Sequence, residues 1–295
     1  MIKIFLASFS RASNGAISLL EDKLKKEDML TYDLETANYV VAVGDRWETY
    51  KFVFDCWQSG KKIIHLWAGE CTPGCDDEIH RHAMTLMSDI QLCTNEHAKK
   101  RVEKLCEVGG KTPNAYVIGN IMMENMELDD SILKEAKLDS GKYDIILYNP
   151  FRGHILEDLE QISRVLLDIE VIHLKKGEDK EAGFKTPFLW LRPNTDRGSE
   201  FILHYIASRY AISPAQPRPK FLSLIKHCRY FITNSSCAHY EAPFLINKKQ
   251  IIQIGLRNAE RESKYAKMDI PGASDNVIKI LRDLETTKNT RPETF

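Results

Sequence analysis

The segment Phe231-Ile-Thr-Asn-Ser-Ser-Cys-Ala-His-Tyr-Glu-Ala-Pro243 holds residue types suited to a phosphorylated ligand. An apolar run stops at a polar Asn-Ser-Ser, and the residues after Ser235 read as the start of a helix. Unpaired backbone N–H groups at such a start, together with the hydroxyls of Ser235 and Ser236, attract phosphate. Glu241, one to two turns further on, has the reach to accept a bidentate hydrogen bond from a ribose diol. An ordinary N-capped strand-to-helix turn has the same composition. Arg11 lies at a similar turn, residues 8–15, where an arginine faces phosphate or carboxylate, a solvated surface arginine being the plainer alternative. Asp76, Asp77 and Glu78 open another helix and complement its dipole. Cys71 and Cys75, with His65, His80 and His82 near them, are zinc-ligand types, but a second cysteine pair is missing.

The elements that must carry these residues alternate. Residues 2–8 read as a strand and are followed by a helix to about Lys26. The run Asn38–Val43 is continuously apolar, as in a parallel strand buried on both faces, and ends at Gly44-Asp45-Arg46. Strands follow at Ile63–Trp67, Ile90–Cys93 and Ala115–Ile118, each separated from the next by a helical pattern. A polar, Met- and Glu-rich stretch over 121–142 marks a boundary. A second series begins at Asp144–Tyr148 and continues through strands at Pro187–Leu191, 231–233 and Gln250–Ile254. This reading divides the chain into an N-terminal domain over 1–135, a second domain over 136–272, and a final helix and tail over 273–295. Alternating strands and helices imply α/β architecture with two doubly wound parallel sheets. Two such sheets in tandem direct their strand C-terminal loops toward one cleft, and residues 8–15, 44–46, 67–70, 149–152, 192–199, 234–236 and 257–262 are such loops.

Composition narrows the function classes. The 295 residues are 43% hydrophobic and 28% charged, as in a soluble globular protein, and the formal net charge of −1 gives no nucleic-acid or membrane footprint. No run of about 18 apolar residues occurs, so no spanning helix is expected. The first residues are too short and wrongly flanked for a signal peptide, and the seven scattered cysteines read as reduced thiols in the cytoplasm.

Seven motifs in order resemble the UDP-N-acetylglucosamine 2-epimerase family, and within it the hydrolysing branch that forms N-acetylmannosamine. They are Arg11-Ala12, Gly44-Asp45-Arg46, His65-Leu-Trp-Ala-Gly-Glu70, Asp76-Asp77 with Arg81-His82-Ala83, Pro193-Asn-Thr-Asp-Arg-Gly-Ser199, Asn234-Ser-Ser-Cys237 and Glu260-Arg261-Glu262. The resemblance implies two Rossmann-like domains of the glycosyltransferase-B type with a UDP-sugar in the cleft. It implies that Ser235 and Ser236 hold the diphosphate, Glu241 the ribose and Phe221 the uracil, with Arg11 and Arg261 facing the phosphates. Arg46, Arg81, Asn194 and Asp196 join the nucleotide-sugar set. Asp45 and Asp77 stand where the family keeps two acids, with Glu70 beside them. The family reaction eliminates UDP across C1–C2 and hydrates the glycal, without metal or other cofactor; its members pair as homodimers through the first domain.

Two positions depart from the pattern. Trp67 stands where the family has Glu, and Asn149 stands where it has His. Neither can exchange a proton near neutral pH. Glu70, Glu78 and His154 are close enough in sequence to take over. Trp67 is either a stacking platform or a filler of volume left by a shortened first domain, in which helix one leads to Gly44 within about 18 residues where the family has further strands and helices. Three functions stay open at this point: the family epimerisation, a glycosyltransferase or nucleotide-sugar hydrolase that cleaves C1–O without touching C2, and a non-catalytic UDP-sugar-binding protein.

Overall fold

The computed structural model describes residues 2–290 except 10, 73–75, 125, 152, 177–187, 209, 211 and 260–270. The chain forms two compact units. The first comprises residues 1–72, 76–126 and 267–295, and the second comprises 127–266 with 73–75.

In the first unit a five-stranded parallel sheet is built from β1 (Ile4–Ala7), β2 (Tyr39–Val43), β3 (Lys62–Leu66), β4 (Ile90–Cys93) and β5 (Ala115–Val117), in that spatial order. The crossovers are α1 (Arg11–Lys26), α2 (Trp47–Gln58), α3 (Asp76–Met87) and α4 (Glu96–Val108). Every residue of β2 and β4 is buried, which accounts for their unbroken apolar runs. Strand residues alternate between two cores. Val40, Ala42 and Ile63 pack with Val53 and Cys56 of α2 and Met84 of α3. Cys93 packs with Ala98 and Val102 of α4. Val41, Val43, Ile64 and Leu66 face the other way, onto Ile17, Leu20 and Leu24 of α1.

Helix α1 therefore lies on the opposite face from α2, α3 and α4, although all four crossovers travel in one direction across the sheet. Opposite faces with the same travel mean opposite hands. Parallel crossovers are right-handed in about 98% of cases, so β1-α1-β2 is the rare left-handed one. The outer edge of β1 is partly covered: the Ile4 N–H donates to the Met29 carbonyl at 2.7 Å, and the Thr31 N–H donates to the Ile4 carbonyl at 2.9 Å.

The second unit has a five-stranded parallel sheet in the order β10-β9-β6-β7-β8, formed by β6 (Asp144–Leu147), β7 (Phe188–Leu191), β8 (Ile212–Ser213), β9 (Phe231–Thr233) and β10 (Ile251–Gln253). On one face α6 (Ile155–Lys176) and α7 (Ser199–Ala207) cover Ile146, Trp190 and Ile232. On the other, α5 (Ser131–Glu135), α8 (Arg218–His227), α9 (Cys237–Tyr240) and α10 (Ala242–Leu245) pack on Ile145, Leu191 and Phe231. The order reverses at β6, and the topological switch point lies between β6 and β9, where open α/β sheets bind ligands.

The last helix, α11 (Ala273–Thr290), belongs to the first unit. Val277, Ile278 and Leu281 enter the core under α1, Lys23 pairs with Asp275, and Arg282 pairs with Glu27 at 2.5 Å. Among the described residues no helix is long and apolar enough to cross a membrane.

At the end of β3 the chain turns through Gly69 (φ 76°), whose Cα faces the backbone of α4 so closely that a methyl group there would collide with the Ala98 carbonyl. Gly60 has a similar φ of 75° with nothing within 4 Å. Gly69→Ala should cost about 2–4 kcal/mol and lower the midpoint of thermal unfolding by about 5–10 °C, against roughly 1 kcal/mol for Gly60→Ala. Equal losses in calorimetry would show that Gly69 is not crowded.

Candidate active site

At the switch point, Thr233 ends β9 by donating its hydroxyl to the Leu147 carbonyl at 2.6 Å and accepting the Ser235 N–H at 2.9 Å. This bends the chain so that Ser235 and Ser236 lie on the turn, both half-buried. The helix expected after Ser235 is in fact two four-residue turns, α9 and α10, broken at Glu241 (φ −130°, ψ −54°). Pro243 is the cause: it has no N–H to donate, and its ring would clash with the carbonyl four residues back in a continuous helix. Glu241 thus sits at a joint and not on the face of a helix. Its carboxylate is buried and accepts a hydrogen bond from Arg218, the first residue of α8. Burial lowers the pKa of Arg218. Phe221 lies one turn along α8 and packs against the core beneath it.

Four asparagines tie the loops of neighbouring strands. Asn234, after β9, accepts the backbone N–H of Asn149 at 2.7 Å and donates to the Asn149 carbonyl at 2.7 Å. The side chain of Asn149, after β6, accepts the N–H of Asn194 at 2.9 Å, after β7. Asn258, after β10, donates to the carbonyls of Asn234 and Ser235 at 2.9 and 3.1 Å. The order Asn258, Asn234, Asn149, Asn194 repeats the strand order. Asn194 donates to Asp196, whose carboxylate lies 3.5 Å from Arg257, and Ser199 closes the same loop onto the Asn194 and Asp196 carbonyls at 2.6 and 2.7 Å. At position 149 the structure therefore uses the amide as a tie between loops.

In the first unit the chemistry gathers around Arg81 on α3, which is 2% exposed. Its guanidinium donates to the carboxylates of Asp45 and Glu78, to the Glu70 carbonyl at 3.2 Å and to the Thr72 hydroxyl at 3.2 Å. Glu78 also accepts the Thr72 N–H at 2.7 Å and lies 3.1 Å from His82 Nε2. Burial raises its pKa, but the hydrogen bond from His82, the charge of Arg81 and the Thr72 N–H outweigh it and hold the carboxyl at about 2. The Glu70 carboxylate turns to the Thr94 hydroxyl at the start of α4. Asp77 is 4.0 Å from His80, whose ring stacks on Tyr50 at 5.2 Å. Arg46 is 3.5 Å from Glu48. His65 is buried between the Gly44 carbonyl and the Thr85 hydroxyl, each 3.0 Å away, and burial pushes its pKa down to about 4. His65 is thereby a neutral strut under the Asp45 turn.

Trp67 is 7% exposed and belongs to the core shared with α1, with its ring against Gly44. Its ring packs as a core side chain does, while its indole N–H is buried with no partner among the described residues. Arg11 opens α1, but its side chain lies outside the described part of the structure, as does Arg261 entirely. Asp45, Glu70 and Arg81 come together, and Glu78 joins them. Sequence reasoning gave no role to Arg218, or to Arg257 and Asn258 within the loop 257–262. Arg218 has a legible signal, an arginine between two prolines at a helix start; the partners of Arg257 and Asn258 had none.

A carboxyl held below its ordinary value of 4.5 stabilises the fold fully above that pH, and the contribution is lost as pH falls toward about 2. Glu78→Gln should therefore cost about 1–3 kcal/mol near neutral pH, and the difference from the unmutated protein should close between about pH 5 and 2. Unfolding midpoints measured across that range test this; a constant difference would contradict it.

The family model for UDP-N-acetylglucosamine 2-epimerase matches residues 26–294. A polysialic acid biosynthesis protein of Escherichia coli is 28% identical over 83% of this chain and 61% of its own. A GDP/UDP-N,N'-diacetylbacillosamine 2-epimerase (hydrolyzing) of Campylobacter jejuni is 27% identical over 75% of this chain and 57% of its own. The chain spans about three fifths of the length of these curated relatives. Its fold is that of the S. aureus MnaA–UDP co-structure, with a TM-score of 0.64 at 15% identity and full coverage of both chains. The two parallel α/β units are thus those of the glycosyltransferase-B type, and the chain belongs to the UDP-N-acetylglucosamine 2-epimerase family.

Proposed function

We propose that the protein acts on a UDP-linked 2-acetamido sugar and releases UDP and the free 2-epimer. The observation that carries this reading is the placement of Ser235, Ser236 and the Arg218–Glu241 pair beside the switch point of the second sheet, in a family that includes hydrolysing members. In this reading Ser235 and Ser236 meet the diphosphate, Glu241 the ribose and Phe221 the uracil. Arg11, Arg46 and Arg261 balance phosphate charge, and the loop of Asn194 and Asp196 borders the sugar. Arg81 serves from behind, since its guanidinium is already committed to Asp45 and Glu78. The C2 proton leaves to a base as the C1–O bond to UDP breaks, giving a glycal; water then adds to C1 and a proton to the other face of C2. Asp45, Glu70 and Asp77 are the groups assigned to these proton transfers. The reading needs no cofactor. It also carries a homodimer, in the cytoplasm, which light scattering of the purified chain tests for the dimer.

A second reading has its own support. Trp67 and Asn149 replace two proton-transfer groups, and both are structurally committed, one in the core and one across the loops. A hydrolase or glycosyltransferase that breaks C1–O and leaves C2 alone needs neither.

Proton NMR in heavy water with UDP-N-acetylglucosamine, and then with UDP-N,N'-diacetylbacillosamine, separates the two. Free 2-epimer deuterated at C2 together with UDP is the expected outcome. UDP with the C2 proton retained would establish the second reading, and UDP binding without turnover a binding protein. Asp45→Asn should lower turnover by about 10²–10⁴ while leaving UDP affinity within about threefold, by calorimetry.

A further inference from the structure

The buried Arg218–Glu241 pair has a geometry that goes beyond holding two helices together. Its side chains are 11% and 8% exposed. Both residues are fixed by backbone. Arg218 enters α8 between Pro217 and Pro219, whose rings fix their own φ, and Glu241 occupies the joint between α9 and α10. A carboxylate with so little water needs a charged partner. Arg218 pairs with it as an ion pair and takes one lone pair of Oε1; Oε2 accepts from no described residue. An ionised carboxylate so held offers acceptors on both oxygens, which match the two O–H donors of a vicinal cis-diol. A protonated or rotated carboxyl does not.

Building on the reading that Glu241 meets the ribose, we infer that Arg218 is a positioning residue that makes the site select ribonucleoside over 2'-deoxyribonucleoside diphosphates. The deoxy ligand can satisfy only one carboxylate oxygen and leaves the other without its donor. Its binding therefore gains little from the pre-set carboxylate. A salt bridge that merely joins α8 to the α9–α10 joint would affect both ligands equally.

The test is calorimetric titration of the full chain with UDP and with 2'-deoxy-UDP, for the unmutated protein and for Arg218→Met, Arg218→Lys and Glu241→Gln. The unmutated protein should prefer UDP by about 10-fold or more, as befits a hydrogen bond to a charged group. Arg218→Met should weaken UDP by about 10- to 100-fold and leave 2'-deoxy-UDP within about threefold, so that the preference disappears. Glu241→Gln should remove it likewise, and Arg218→Lys should retain part of it. If Arg218→Met does not fold, as judged by circular dichroism, the partial loss in Arg218→Lys carries the test. Equal weakening of both ligands, or an unchanged preference, overturns the inference, as does an unmutated protein that binds the two alike. An unmutated protein that binds neither ligand overturns the UDP reading itself, and this inference with it.

Discussion

Where a parallel sheet changes its direction of travel, two neighbouring strands send their loops opposite ways, and the last backbone groups of the ladder lose their partners. In the second unit that place lies between β6 and β9, and a single side-chain amide fills it. Asn234 has one acceptor and one donor at the right separation, and it takes both backbone groups of residue 149. The pairing extends the ladder by one rung beyond the strands. On either side Asn149 accepts the Asn194 N–H and Asn258 donates to the Asn234 and Ser235 carbonyls, so that four loops are tied together where the sequence offers serines and charged residues for binding. The bonds to Asn234 use the backbone of residue 149, and the Asn149 amide oxygen adds the bond to the Asn194 N–H.

The charged residues follow a related rule. Arg81 and Arg218 are both buried, each against carboxylate, and burying such pairs gains little stability over apolar packing. What the pairs supply is orientation. Arg81 fixes Asp45 and Glu78 from two sides while Thr72, His82 and the Glu70 carbonyl complete the set. Proton transfer depends on placement as much as on acidity, and a carboxylate locked by a rigid guanidinium fork is placed.

Much of this was legible before any coordinates. The unbroken apolar runs at β2 and β4, the alternation of strand and helix, and the polar break after Thr233 are local signals, and they place the loops correctly. Local signals end where partners are distant. The hydrogen bonds between Asn149 and Asn234 join residues 85 apart, and no periodicity points to them. Pro243 was in view and marks the break at Glu241, but the tetrapeptide turns on either side look helical in sequence. Trp67 was conspicuous as a departure; whether it faced ligand or core depended on the small residue opposite it, Gly44. The face chosen by α1 is also invisible locally, because its apolar stripe fits either side of a sheet that is apolar on both.

That choice of face has a consequence for how the chain is made. A left-handed β1-α1-β2 unit is a poor structure to form by itself, and the apolar stripe of α1 finds further cover in Ile121 and in Val277, Ile278 and Leu281 of α11; Lys23 and its partner Asp275 are 252 residues apart. In synthesis α1 precedes the whole of the second unit, and its partner α11 follows it. The intervening second unit has every strand of its sheet before α11 appears. The first unit is thus completed by a helix that follows every strand of the second, so the core under α1 closes only after the second sheet has been made.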